Sequence, residues 1–171
     1  MNSIERREDI IKLLISNNKA LKGTVMADSY RVTRQIIVKD IAILRAKGNK
    51  IIATPDGYII GKEDNRIKQI IAVTHDESKL GQELNIVIKY GGIIEDVIVE
   101  HPLYGEIKGM LMIKNLNDLE KFLINYKKSD AKLLSLLTKG VHIHTISADT
   151  ESNMKLILEE LNKNGFIIDE Y

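Results

Sequence analysis

Val32-Thr33-Arg34-Gln35-Ile36-Ile37-Val38-Lys39-Asp40-Ile41-Ala42-Ile43-Leu44-Arg45-Ala46-Lys47-Gly48 reads as one helix with both ends marked. Thr33 carries the short oxygen-bearing side chain that accepts a hydrogen bond from a first-turn amide. Ile37, Ile41 and Leu44 recur at helical spacing and fall on one face. Gly48 stands where helices end in a left-handed residue. Toward the N-terminus, Tyr30-Arg31-Val32 is a tight connection to a short helix over Thr24–Ser29, preceded by Leu21 and Gly23. Before that, Ile4–Ile15 is an amphipathic helix with Ile10, Ile11, Leu14 and Ile15 as its apolar stripe, Ser3 as its N-cap and Glu5 in its first turn. Toward the C-terminus, Ile51-Ile52-Ala53-Thr54 and Tyr58-Ile59-Ile60 are short β-branched runs. Pro55-Asp56-Gly57 joins them with the composition of a tight turn, so they form a hairpin.

Three helices, the last two joined by a tight turn, followed by a hairpin, are the order of a winged helix. Leu21 to Ile60 resembles the winged helix–turn–helix domain of the biotin-repressor type, through Val32–Ile41, Leu44–Gly48 and Asp56-Gly57-Tyr58. Second helices of this motif often read Leu-Ala; here Val25-Met26-Ala27 keeps the apolar character. The resemblance implies double-stranded operator DNA as a partner, with the second helix of the motif in the major groove and its N-terminal residues against base edges. Arg34 and Gln35 stand there, Arg suited to a bidentate pair with guanine and Gln to one with adenine. Thr33 joins this set. Lys39, Arg45 and Lys47 further along, and Arg31 in the turn, suit phosphates, which position a protein without reading sequence.

Composition narrows the function classes. The chain has 171 residues, 44% hydrophobic and 29% charged, an ordinary globular balance for one large domain or two small ones. No apolar run approaches about 18 residues, so no membrane partner is expected. Met1–Asp9 has mixed charge and no apolar stretch, so the expected location is the cytoplasm. The absence of cysteine excludes disulfides and thiolate zinc sites, so any metal must be held by imidazole and carboxylate. The net charge of +1 is unevenly spread. Residues 1–65 carry 12 Lys and Arg against 8 Asp and Glu, and residues 66–171 carry 13 against 16. A basic front and an acidic back suggest two modules with different partners.

The polar stretch Gly61–Asn65 marks the boundary, giving modules at 1–62 and 66–171. In the second, Ile67–Val73 reads as a strand and Ser78–Tyr90 as a helix with Leu80, Leu84, Val87 and Ile88 on one face, stopped by Gly91-Gly92. Ile93–Glu100 and Tyr104–Ile113 read as an antiparallel pair broken by His101-Pro102. Leu116–Tyr126 is a helix capped near Asn115, Val141–Ser147 a strand, Thr150–Asn162 a helix and Phe166–Asp169 a last strand. Four or five strands and three helices make a compact α+β domain with a mainly antiparallel sheet.

All four histidines lie in this module. In Gly140-Val141-His142-Ile143-His144 a spacing of two on a strand points both imidazoles to the same face. His75 ends the first strand, and Glu83 sits in the helix that follows and can fold back over the strand end. Imidazoles with a carboxylate suit zinc, nickel, iron or cobalt and leave room for a ligand from solution. Val73-Thr74-His75-Asp76, Leu80-Gly81-Gln82-Glu83-Leu84, His101-Pro102-Leu103-Tyr104-Gly105 and Gly140–Thr145 resemble the motifs of the 3H domain. Joined to a helix–turn–helix, that domain defines the niacin-responsive transcription repressors, and the resemblance runs from about Arg6 to Ile168. It implies one divalent metal per chain on His75, Glu83, His142 and His144, and an effector pocket lined by the His101–Gly105 motif, with His101 and Tyr104 as the effector-binding residues. It further implies nicotinic acid as co-repressor and a homodimer on DNA. The alternative from another class is a metal-dependent hydrolase-like enzyme with an appended DNA-binding module. Against it stand the lack of an evident general base, nucleophile elbow or phosphate loop.

Overall fold

The computed structural model describes residues 2–61 and 65–168 and divides into two compact units, Met1–Asp64 and Asn65–Tyr171. Lys62, the expected end of the first module, and Asp169, the expected end of the last strand, lie outside the described residues.

The first unit contains α1 (Ser3–Ser16), α2 (Gly23–Tyr30), α3 (Arg34–Ala46), β1 (Ile51–Thr54) and β2 (Gly57–Ile60). Ile10, Leu14, Met26, Ala27, Ile37, Ile41, Leu44 and Ile51 close its core. The N-cap of α1 is Asn2, not Ser3: the Asn2 side chain accepts from the amides of Ile4 and Glu5, and Glu5 accepts the Asn2 amide in return. This reciprocal pairing satisfies both ends of the first turn, which the expected cap at Ser3 would not. Thr33 caps α3, accepting from the Ile36 amide. Asp40, on the core face of α3 and 2% exposed, receives the Nε of Arg6 at 2.7 Å and a guanidinium nitrogen of Arg7 at 3.1 Å. This buried carboxylate ties α3 to α1 with a fixed rotation about its axis.

The hairpin turn contains Pro55-Asp56 alone, since Thr54 pairs with Gly57. Leu21 adds a bridge to Tyr58, exchanging amide and carbonyl at 2.9 Å in both directions. The approach is possible because residue 57 is glycine: its φ is +129°, and a Cβ there would stand 2.3 Å from the Leu21 oxygen.

The second unit contains β3 (Ile67–Thr74), α4 (Leu80–Lys89), β4 (Ile93–His101), β5 (Gly105–Ile113), α5 (Leu116–Lys128), β6 (Val141–Ala148) and α6 (Glu151–Lys163), with single 3-10 turns at Glu77–Lys79 and Leu134–Thr138. The strands form one antiparallel sheet in the order β3-β6-β4-β5. One face of it, through Ile71, Val73, Ile94, Ile146 and Ala148, packs with residues of α4, α5 and α6 in one core. The opposite face leaves Ile70 exposed, as antiparallel sheets commonly do. The helix expected from Ser78 begins with the 3-10 turn, capped by Asp76 through the Ser78 amide. The expected last strand reduces, among the described residues, to one bridge between Ile167 and Val73. Phe166 is 1% exposed, and seating it in the core leaves only a single residue in register with β3. No helix among the described residues is long and apolar enough to cross a membrane.

Gly57→Ala should lower stability by about 1–3 kcal/mol, because the left-handed backbone and the Leu21 carbonyl both resist a Cβ. Thermal unfolding of the full chain measures it, and an unchanged midpoint would remove the constraint.

Candidate metal centre

Three elements bring the histidines and Glu83 together. β3 and β6 pair with Val73 opposite His142 and Ile71 opposite His144, so His142 and His144 point into the helix-covered face beside core residues. β3 ends one residue before His75, and the chain turns back through the 3-10 turn into α4, which places Glu83 over the end of the sheet. Gly140 makes the strand ends meet. Its φ is +96°, and a Cβ would lie 2.5 Å from the His75 carbonyl oxygen. Any other residue would push His75 away from His142.

His75 Nε2 stands 2.7 Å from Glu83 Oε2, His142 Nε2 is 3.7 Å from the same oxygen, and His144 Nε2 is 3.4 Å from Oε1. The four side chains are between 1% and 4% exposed. The ligand atoms of His75, Glu83 and His142 lie within 4.8 Å of one another, and His144 joins through the other carboxylate oxygen. The rings of His75 and His142, and those of His142 and His144, meet edge-on with centroids 4.9 and 4.8 Å apart.

Each imidazole is held from behind. Nδ1 of His75 meets the carbonyl of Asp76 at 2.6 Å, that of His142 the carbonyl of Gly140 at 2.8 Å, and that of His144 the carbonyl of Asp96. Since a carbonyl only accepts, Nδ1 carries the proton in all three neutral rings. All three Nε2 lone pairs then face a carboxylate that also only accepts. His144 Nε2 and Glu83 Oε1 have no hydrogen-bond partner of adequate alignment. Such a ring of acceptors is reconciled by protons or by a cation.

The titration behaviour reflects that need. Burial pushes the Glu83 carboxyl up, but the facing imidazoles of His142, His144 and His75 outweigh it and hold the group well below 4.5. Burial pushes His75 and His144 down, and their contacts with Glu83 outweigh it, so both rise above 6.5. A tetrahedral ion with bonds of about 2.0 Å sets its ligand atoms roughly 3.3 Å apart. The three distances from Nε2 to the Glu83 carboxylate, 2.7, 3.4 and 3.7 Å, bracket that value.

His101 and Tyr104 sit at the β4–β5 turn. His101 Nδ1 accepts from the amides of Leu103 and Tyr104, and the two rings lie 5.0 Å apart. The polar contacts of His101 therefore brace its own turn, and Tyr104 is 70% exposed. In the first unit, Arg31, Thr33, Arg34, Gln35, Lys39, Arg45 and Lys47 are all exposed. Gln35 and Lys39 lie on the face of α3 opposite Ile37, Ile41 and Leu44, Arg45 flanks that apolar face, and Arg34 borders a shallow pocket with Lys22 before α2 and Tyr58 of the hairpin. Arg31 occupies the left-handed turn position after α2, and the Thr33 hydroxyl is engaged in capping.

Sequence reasoning missed two residues. Asp40 and Asp96 are buried carboxylates whose partners are distant in the chain. The available signal was an acidic residue inside an otherwise apolar stripe or strand.

A helix–turn–helix unit joined to an α+β unit with a buried histidine cluster defines a class, the DNA-binding regulator with an attached α+β domain. Residues 68–170 match the 3H domain and residues 6–59 an HTH domain. The chain is 39% identical over 166 residues to the "Probable transcription repressor NiaR" of Thermotoga maritima, covering 97% of this chain and 95% of that protein. It is 31% identical over 167 residues to the "Transcription repressor NadR" of Bacillus subtilis, covering 95% and 93%. The chain belongs to this family of 3H-domain transcription repressors, and is a regulator rather than an enzyme.

The pKa directions set a stability window for the metal-free protein. His75 and His144, raised in the fold, contribute fully below the unfolded histidine value of 6.5 and lose that contribution as pH rises through their folded values. Glu83, lowered in the fold, contributes above 4.5 and loses its contribution as pH falls through its folded value. Metal-free protein should be most heat-stable between these limits and weaken toward alkaline pH. Unfolding midpoints across pH, compared with Glu83→Gln, measure it; an identical profile in the variant would dissociate the cluster from stability.

Proposed function

We propose that this protein is a DNA-binding repressor of genes for niacin uptake or NAD metabolism. Nicotinic acid is its co-repressor, bound at a divalent transition metal held by His75, Glu83, His142 and His144. One observation carries the metal: three imidazole Nε2 atoms converge on one buried carboxylate while every Nδ1 is spent on a main-chain carbonyl. Main-chain carbonyls that accept the hydrogen bond of the far ring nitrogen are the usual companions of metal-bound histidine. The donor set suits zinc, nickel or iron. When bound, the metal supplies an electrophilic position that a pyridine nitrogen or a carboxylate can occupy. The protein's own residues supply the rest: the cluster excludes water, and His101 Nε2 and the Tyr104 hydroxyl are the candidates for the effector carboxylate.

The names of the two relatives support repression. Helix–turn–helix proteins read two-fold operators as dimers, which makes a cytoplasmic homodimer the working assembly. Arg34 and Gln35 read bases, while Arg31, Lys39, Arg45 and Lys47 meet phosphates and Thr33 sets the start of the reading helix. Effector binding acts by favouring the state of the protein that binds operator.

Titration of labelled upstream DNA, with and without nicotinic acid and with and without chelator, tests the three components together. Nicotinic acid should tighten binding only in the metal-loaded protein, and tightening that survives chelation would remove the metal from the reading. His142→Ala and His144→Ala should lose metal and effector response while keeping basal DNA affinity. Because the ligands bind deprotonated, added zinc should stabilise the protein more at alkaline than at acidic pH. Arg34→Ala should lose about 1–3 kcal/mol of discrimination between operator and random DNA. Equal losses on both would make Arg34 a phosphate contact.

A further inference from the structure

We propose that Asp96 is a positioning residue for the metal centre: its side chain pins a β-bulge in β4 that turns its own carbonyl onto His144 Nδ1. The inference rests on the metal reading above. β4 and β6 change register between Ile94 and Ile98, so β4 carries one extra residue against β6. A bulge leaves a main-chain group without its ladder partner and re-aims the residues beside it. Here the Thr145 amide donates at 2.9 Å to Asp96 Oδ1 instead of to a β4 carbonyl. The Asp96 carbonyl, released from that duty, accepts from His144 Nδ1.

The side chain is itself locked. Asp96 is 1% exposed, and its other oxygen, Oδ2, stands 2.6 Å from Lys108 Nζ on the neighbouring β5, directly across from Ile98. One carboxylate thus joins three strands, taking an amide from β6 and an ammonium from β5 while its backbone holds a histidine of β6. The consequence is chemical. With Nδ1 committed to a carbonyl, His144 keeps its proton there and presents the Nε2 lone pair to Glu83 Oε1 and to any metal between them. Without the bulge, His144 is free to adopt the other tautomer, which offers a proton where a lone pair is required.

The tautomer is read by nitrogen-15 NMR of the histidines in metal-free, full-length protein at alkaline pH, where the rings are neutral. In the wild type His144 should carry its proton on Nδ1. Asp96→Ala should shift it toward Nε2 and weaken zinc or nickel binding, followed by calorimetry, by about 10- to 100-fold. Asp96→Asn keeps an acceptor for the Thr145 amide and should retain the wild-type tautomer. Should Asp96→Ala fail to fold, Asp96→Glu, whose longer arm displaces the acceptor, takes its place with the same expectation. A wild-type proton on Nε2, or an alanine variant with unchanged tautomer and affinity, overturns the role of Asp96. Wild-type protein that takes up neither metal overturns the metal reading instead, and the NMR comparison still decides the bulge.

Discussion

The Glu83 carboxylate, 1% exposed and faced by three imidazoles, is the group on which the second unit's architecture turns. A buried ionised carboxylate without partners is strongly unfavourable. Its position is tolerable only because β3 ends at the cluster, β6 presents two same-face histidines and Gly140 lets those strand ends approach. The imidazoles are oriented by main-chain carbonyls, which hold them without adding a competing charge. The site is therefore continuous with the core: Ile71, Val73 and Ile146 lie on the same sheet face as His142 and His144. What keeps the helices on the sheet also keeps water out of the cluster.

The first unit uses the same device in a simpler form. Asp40 is buried on α3 between two arginines of α1, so a charge that would be costly alone fixes how the helix is rotated. That rotation exposes Gln35, Lys39 and Arg45 and buries Ile37 and Ile41. In both units a buried carboxylate sets an orientation, of a helix in one case and of a histidine ring through Asp96 in the other.

Much of the fold was legible because period and punctuation agree. The stripes of α1, α3 and α4, the Pro-Asp-Gly turn and the caps at Thr33 and Asn115 all follow from local chemistry. The misreadings are local competitions that sequence does not settle. Asn2 outcompetes Ser3 because Glu5 answers it, and the segment after Gly165 spends itself on burying Phe166 instead of extending a strand. At the β4–β5 turn, His101 spends Nδ1 on the amides of Leu103 and Tyr104, a local brace that its place in the sequence did not announce.

By itself the sequence determined which residues were eligible for the site and on which elements they ride. Side-chain period places His142 and His144 on one face, and the lack of cysteine leaves only imidazole and carboxylate as donors. It made Glu83 available over the strand end but could not determine how closely the carboxylate meets each ring, nor that Asp96 stands behind His144, 48 positions away. Those pairings depend on strand order and on a one-residue register shift between β4 and β6. Register is set by the packing of whole strands against the core, and a shift of one residue reverses the face of every side chain beyond it. Only the tertiary structure could therefore decide which carbonyl meets which ring.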